Sequence, residues 1–213
     1  MTASITEVTT RTAAVAVQAL LGDPDAVADL IARPGVIRLG HYRLLAGLHT
    51  DTFVAFSGIA TDTAALDLIA NWALGSIAAW QPTDVLAPST VGVALASTIA
   101  RRIGARLSLA NLGPDGRPNG ITSDAIRPGS RVLLVNDIIT TGIGVGHLAD
   151  LARSVGGHVA GVVCFASRAT VNISAAINAP AIHIADLDLK AWPAANCSLC
   201  RDGQPLKDAV DLN

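Results

Sequence analysis

The residues best placed to do chemistry lie in "RVLLVNDIITTG", residues 131–142. An apolar run meets Asn136 and Asp137, two more apolar residues follow, and Thr140, Thr141, Gly142, Ile143 and Gly144 then lead into a helix. Ligands of open parallel sheets bind beyond the carboxyl ends of the strands. A helix that starts there offers free N–H groups and the positive end of its dipole, which together favour an anion. Glycines at 142 and 144 let the backbone curl round a phosphate, and the threonine hydroxyls add donors. Asp137, a few residues upstream, can accept from vicinal sugar hydroxyls. Phosphate donors and a hydroxyl acceptor at this spacing point to a ribose 5-phosphate. The plain alternative is a strand, a turn and a capped helix; Thr-Thr-Gly alone favours that, the whole string does not. No G-x-x-x-x-G-K-[ST] is present, which removes a Walker-type loop. "TGIGVGH" lacks the G-x-G-x-x-G spacing of a dinucleotide fold, and Ser167-Arg168 stands where its acidic residue would.

These residues need a scaffold, and the rest of the chain reads as one. Residues 9–21 are rich in Ala, Val and Leu and predict a helix. Asp23-Pro24 predicts the start of a second, ending near Pro34-Gly35. Residues 36–56 read as short strands with a turn at Ala46-Gly47, and residues 61–80 as a long helix opened by Thr/Asp caps. Strands are then expected at 84–87, 106–110, 132–135, 159–165 and 181–184. Helices are expected up to Gly104 and over 145–155 and 171–176. The Gly/Pro-rich stretch 111–130 predicts a loop of about 20 residues, long enough to suggest a functional role. Continuous apolar strands alternating with amphipathic helices predict an α/β fold, a central parallel sheet covered on both faces.

Composition narrows the function. The chain has 213 residues, 51% hydrophobic but only 3% aromatic, so its core must be built from Ala, Val, Leu and Ile. A net charge of −2 gives no field to attract nucleic acid or anionic lipid. Apolar stretches such as "LIANWALGSIAAW" fall short of a span of about 20 residues, and "MTASITEVTTR" has no apolar signal core. A cytoplasmic protein that engages neither membrane nor nucleic acid is expected. Lys190 and Lys207 are the only lysines, so no mid-chain lysine can take part in a mechanism.

The string at 131–142 resembles the phosphoribosyl pyrophosphate (PRPP) motif of type I phosphoribosyltransferases, and its nearest branch is similar to the orotate phosphoribosyltransferases. "HYRLLAGLHTDTFVAF" (41–56), "DVLAPSTVGVALASTIARRIG" (84–104) and "GVVCFASRATV" (161–171) resemble, in order, further segments of that family. The resemblance covers about residues 36–185. It implies a single domain over 1–213, with a small hood from the N-terminal helices (1–35) and the C-terminal tail (186–213). It implies that Asp137, with Asn136 beside it, serves the ribose at the reacting centre. Thr140, Thr141, Gly142, Ile143 and Gly144 would cradle the 5-phosphate, and Ser89 and Thr90 would hold pyrophosphate. The 111–130 loop would close over the site. Mg²⁺ would arrive with PRPP, held mainly by substrate oxygens. The partner substrate would be a nucleobase or similar nitrogen base, and the assembly a homodimer. Three features depart from the family: Asn136 replaces the first acidic residue, Leu45 and Val91 stand where orotate enzymes carry lysines, and Arg117 is the only inner cation of the long loop. The expected activity is PRPP-dependent phosphoribosyl transfer, which these departures would reduce; the rival is a weakly catalytic or inactive PRPP- or nucleotide-binding regulatory protein.

Two further groups are singled out. Arg168 ends a strand, as either a base-facing cation or an exposed side chain. "CSLC", Cys197 to Cys200, is half a zinc-ligand set. A full site would need histidines from elsewhere or a second subunit's pair. His41, His49, His147, His158 and His183 show no metal-ligand spacing and read as structural. The pair is therefore expected to be solvent-near thiols, with no metal site.

Overall fold

The structure is a computed structural model that describes residues 5–9, 14–122, 126–168 and 171–209. Its centre is an eight-stranded sheet. In sequence order the strands are β1 (Ile5–Thr9), β2 (Ala14–Ala19), β5 (Asp84–Pro88), β6 (Arg106–Leu112), β7 (Pro118–Ile121), β8 (Arg131–Ile139), β9 (His158–Arg168) and β10 (Ala181–Leu187). In space they run β1-β2-β10-β9-β8-β5-β6-β7. The inner strands β10, β9, β8, β5 and β6 are parallel; β1, β2 and β7 join antiparallel at the two edges. The parallel α/β sheet read from the sequence is thus present.

Its helices are α1 (Pro24–Ala32), α2 (Ser57–Ala60), α3 (Thr63–Trp80), α4 (Val93–Ile103), α5 (Ile143–Ser154) and α6 (Ile173–Ile177). Alternation along β8 shows why that strand reads as a continuous apolar run. Leu133 and Val135 pack in one core cluster with Ile31 of α1, Ile69 of α3 and Ile99 of α4. Val132 and Leu134 pack in another with Leu148 of α5 and Ile177 of α6. Both faces are buried, so neither register position tolerates a polar side chain. No helix among the described residues is long and apolar enough to cross a membrane.

Several expectations are corrected. The first expected helix, 9–21, is instead the β1–β2 hairpin, with residues 10–13 outside the described set. Val15 and Val17 are buried while Ala16 and Gln18 are half-buried, a period of two that outweighs the helix propensity of the alanines. The second helix forms as expected, with the Asp23 side chain accepting from Ala26 N–H at 2.9 Å. Strand β8 continues past Val135: Asn136 pairs with Cys164 and Ile138 with Ala166. Asn136 and Asp137 therefore sit inside the second half of a strand. The 111–130 stretch is not structureless either. Asn111 pairs with Gly120 and Leu112 with Pro118, and Gly113 N–H closes the turn onto the Arg117 carbonyl at 2.8 Å. Pro118 is tolerated because β7 is an edge strand.

A second sheet of three strands joins distant parts of the chain. Strands β3 (Ile37–Arg43) and β4 (His49–Val54) form a hairpin, and β11 (Lys207–Asp208), after the short helix α7 (Ser198–Arg201), pairs parallel with β3. Tyr42, Leu44, Phe53, Ala55 and Ala209 form its own small core.

One buried charge ties β5 to β6. Asp84 has no exposed surface and lies opposite Arg106, whose Nε and Nη2 donate to it at 2.8 and 2.9 Å; Thr83 Oγ1 adds a third bond at 2.6 Å. Burial pushes the Asp84 carboxyl up, but the hydrogen bonds from Arg106 and Thr83 outweigh it and hold the group below its ordinary value. Its stabilisation is complete above the unfolded value of about 4 and is lost as pH falls through the lower folded value. Asp84→Asn is expected to cost about 1–3 kcal/mol at neutral pH and to flatten the acid limb of stability against pH, measured by urea unfolding from neutral pH down to about pH 3.

Candidate functional site

The β8–α5 junction builds the proposed anion cradle. Gly142 is the N-cap of α5 with φ 81°, a left-handed conformation that suits glycine. A side chain there would be strained, and its Cβ would stand 3.3 Å from Ala176 Cβ. The first bond across the helix start runs from Gly146 N–H to the Gly142 carbonyl at 2.9 Å. The N–H groups before it have no acceptor inside the helix. Thr140, Thr141, Gly142 and Gly144 line one pocket with Asn136 and Asp137. Ile143 is not in that lining and is 37% exposed.

Asp137 is 7% exposed, and its Oδ1 accepts from Ile138 N–H at 2.8 Å. Burial is the dominant influence on its carboxyl and raises it above the ordinary range. Asn136 Nδ2 donates to the Ile138 carbonyl at 3.3 Å. Facing them are Ser89 and Thr90, at the carboxyl end of β5. The main-chain N–H groups of these two are engaged with the Ala110 and Pro88 carbonyls, so their hydroxyls are the donors left for a ligand. The β5–α4 turn passes very close to β8: a Cβ on Gly92 would lie 3.2 Å from Asp137 N. Gly92 was not distinguished in the sequence, since a glycine next to a helix start has many uses and only the fold reveals this approach.

Leu45, from the β3–β4 turn, lines the pocket, whereas Val91 packs against the main core. Arg168 is 4% exposed and also lines the pocket, which settles its exposure against a surface side chain. Its Nη1 donates to the Leu189 and Lys190 carbonyls at 2.8 and 3.0 Å, and Nη2 to Thr50 Oγ1 at 3.3 Å. Nε is buried without a partner. Burial lowers this guanidinium to about 10, still fully charged at neutral pH. It is the only Lys or Arg among the described residues of the lining. Cys197 and Cys200 lie outside that lining, beside His41 and His49. Cys197 is fully buried, so the pair is not simply solvent-near. The two histidines are about 150 residues from the cysteines in sequence, which local spacing could not bridge.

No family model matches the chain. It is 31% identical over 188 residues to orotate phosphoribosyltransferase of Thermus thermophilus, covering 85% of this chain and 98% of that one. Its fold is similar to the crystal structure of orotate phosphoribosyltransferase from Aeropyrum pernix, with a TM-score of 0.61 and 18% identity over 74% of this chain and 92% of the other. Adenine phosphoribosyltransferase from Rhodothermus marinus gives 0.59 and 18%, over 76% and 98%. With such a relative matched along nearly its whole length, and a parallel sheet whose β8 end opens into a glycine-capped helix, the chain belongs to the orotate phosphoribosyltransferase family of PRPP-dependent transferases.

Proposed function

We propose that the pocket at the end of β8 binds PRPP and transfers its ribose 5-phosphate to a nucleobase, releasing pyrophosphate. The observation that carries this reading is the meeting of a buried carboxylate, Asp137, with the glycine-capped start of α5 in one cavity. The 5-phosphate sits on the N–H groups from Thr140 to Gly144, and the Thr140 and Thr141 hydroxyls add donors. Asp137 accepts from the ribose hydroxyls, Ser89 and Thr90 donate to pyrophosphate, and Arg168 faces the base. A base nitrogen attacks C1, and the C1–O bond breaks with its electron pair leaving on pyrophosphate. The described residues of the lining offer one carboxylate, too few hard oxygens for a protein-built Mg²⁺ site, and this suits an ion held chiefly by pyrophosphate and ribose oxygens with Asp137 nearby. When bound, the ion would offset charge on the leaving group. The protein is taken to act as a homodimer on small molecules in the cytoplasm.

With one cation among its described lining residues, the pocket stabilises a departing pyrophosphate less than a lysine-rich one. Asn136 keeps an acceptor oxygen but supplies no negative charge to a sugar becoming positive. Both features support retained binding with slowed chemistry. Pyrophosphate release from PRPP across purine and pyrimidine bases tests the activity; no release with any base would remove the enzymatic reading. Asn136→Asp is expected to leave PRPP affinity within about threefold and to raise turnover with the best base by about tenfold, roughly 1.4 kcal/mol of the barrier. A turnover lowered by that change would contradict it.

Asp137 generates a paired prediction. A carboxyl whose folded pKa is raised costs stability fully above that value and not at all below the unfolded value of about 4. Asp137→Asn should therefore raise the Tm of the unliganded protein at neutral pH, with the gain fading toward about pH 4. The same change should weaken nucleoside monophosphate binding by about 10–100-fold, the worth of a charged hydrogen bond. Arg168→Ala should weaken nucleotide binding more than PRPP binding in calorimetric titrations; equal losses would remove Arg168 from base recognition.

A further inference from the structure

Away from the pocket lining, four side chains converge from three segments: His41 of β3, His49 of β4, and Cys197 and Cys200 at α7. One potential ligand atom from each lies within 4.8 Å of all the others. His41 Nε2 is 3.0 Å from His49 Nδ1, 3.5 Å from Cys197 Sγ and 3.6 Å from Cys200 Sγ; His49 Nδ1 is 3.2 Å from Cys200 Sγ. A tetrahedral zinc with Zn–N of about 2.0–2.1 Å and Zn–S of about 2.3 Å holds its ligand atoms about 3.3–3.8 Å apart. Both distances from His41 Nε2 to sulfur, 3.5 and 3.6 Å, lie in this range, and the two contacts of His49 Nδ1, 3.0 and 3.2 Å, fall just short of it. His41, His49 and Cys197 are buried and Cys200 is exposed, so an ion would be reached from one side.

The surroundings favour a metal over a hydrogen-bonded cluster. His41 Nδ1 lies 2.9 Å from the Gln204 carbonyl, which can only accept. That fixes the proton on Nδ1 and turns the Nε2 lone pair toward the sulfurs, the orientation that partners behind metal-bound histidines impose. The backbone of His49 is pinned too, exchanging two 2.8 Å hydrogen bonds with Trp192. Two thiolates would balance the charge of Zn²⁺, their protons leaving to solvent on binding. A sulfur and nitrogen set of this kind selects zinc over the harder ions.

We propose that His41, His49, Cys197 and Cys200 hold a structural zinc ion that fastens the C-terminal tail onto the β3–β4 hairpin. Four protein ligands fill a tetrahedral shell and leave no open position for a substrate, so the ion's role is structural. What it fastens matters to the pocket. The fastened tail includes Leu189 and Lys190, whose carbonyls hold Arg168, and Ala209, which lines the cavity. The zinc reading does not depend on which base the pocket takes.

The test is elemental analysis of the untagged full-length protein, expressed with zinc supplementation. About one zinc per chain is expected, with Cys200→Ser lowering that content and cobalt exchange giving the visible bands of a tetrahedral thiolate site. Chelation should lower the Tm by about 5 °C or more, make Cys197 and Cys200 reactive to a thiol reagent, and be reversed by added zinc. If Cys200→Ser fails to fold, the wild-type zinc content and the thiol reactivity still decide. Protein with the native Tm but negligible zinc, a Cys197–Cys200 disulfide in metal-free protein, or another metal at full occupancy would overturn the proposal.

Discussion

A central parallel strand cannot end without leaving polar groups pointing into one space, and this site is built on that constraint. At the end of β8 the chain turns into α5, whose first N–H groups have no acceptor within the helix. The structure places a glycine with a positive φ at that turn and buries a carboxylate a short way before it, at Asp137. The two features are electrically opposite and only a few residues apart. One suits a phosphate and the other a hydroxyl donor, so a sugar phosphate complements both. Everything else near the pocket follows from holding this junction still: Gly92 lets the β5–α4 turn approach Asp137, and Ala176 packs beneath Gly142.

The second dependency runs through the tail. Arg168 is the only described cation of the pocket, and it is held by main-chain carbonyls that follow β10 and by Thr50 of β4. Those groups belong to the small sheet and the tail, the two parts that His41, His49, Cys197 and Cys200 bring together. A chain with 3% aromatic residues has few large side chains with which to staple a small sheet. The core of that small sheet contains one tyrosine and one phenylalanine. A metal cross-link is a physically economical way to hold such a unit, because its strength does not depend on buried apolar area.

Much of this was legible from sequence because it depends on local patterns. Val132 to Val135 and Val159 to Phe165 could only be buried strands, and Asp23 and Gly104 punctuate helices by well-defined chemistry. The PRPP-like string lies within one contiguous stretch, so its residues could be read together. What failed depended on distant partners. Val15 and Val17 belong to a strand because β10 offers an edge to β2, which no local count of alanines reveals. Asn136 and Asp137 stay in β8 because β9 is long enough to pair with them. The zinc-like cluster joins two hairpin histidines to cysteines at the far end of the chain, and only the fold brings them within reach.

The proposed function depends most on the β8–α5 junction as a seat for ribose 5-phosphate. A crystal structure with a bound nucleoside monophosphate tests this directly. Phosphate oxygens should lie about 3 Å from main-chain N–H groups between Thr140 and Gly144, with a ribose hydroxyl donating to Asp137. A phosphate seated elsewhere, with Asp137 untouched by the sugar, would contradict it.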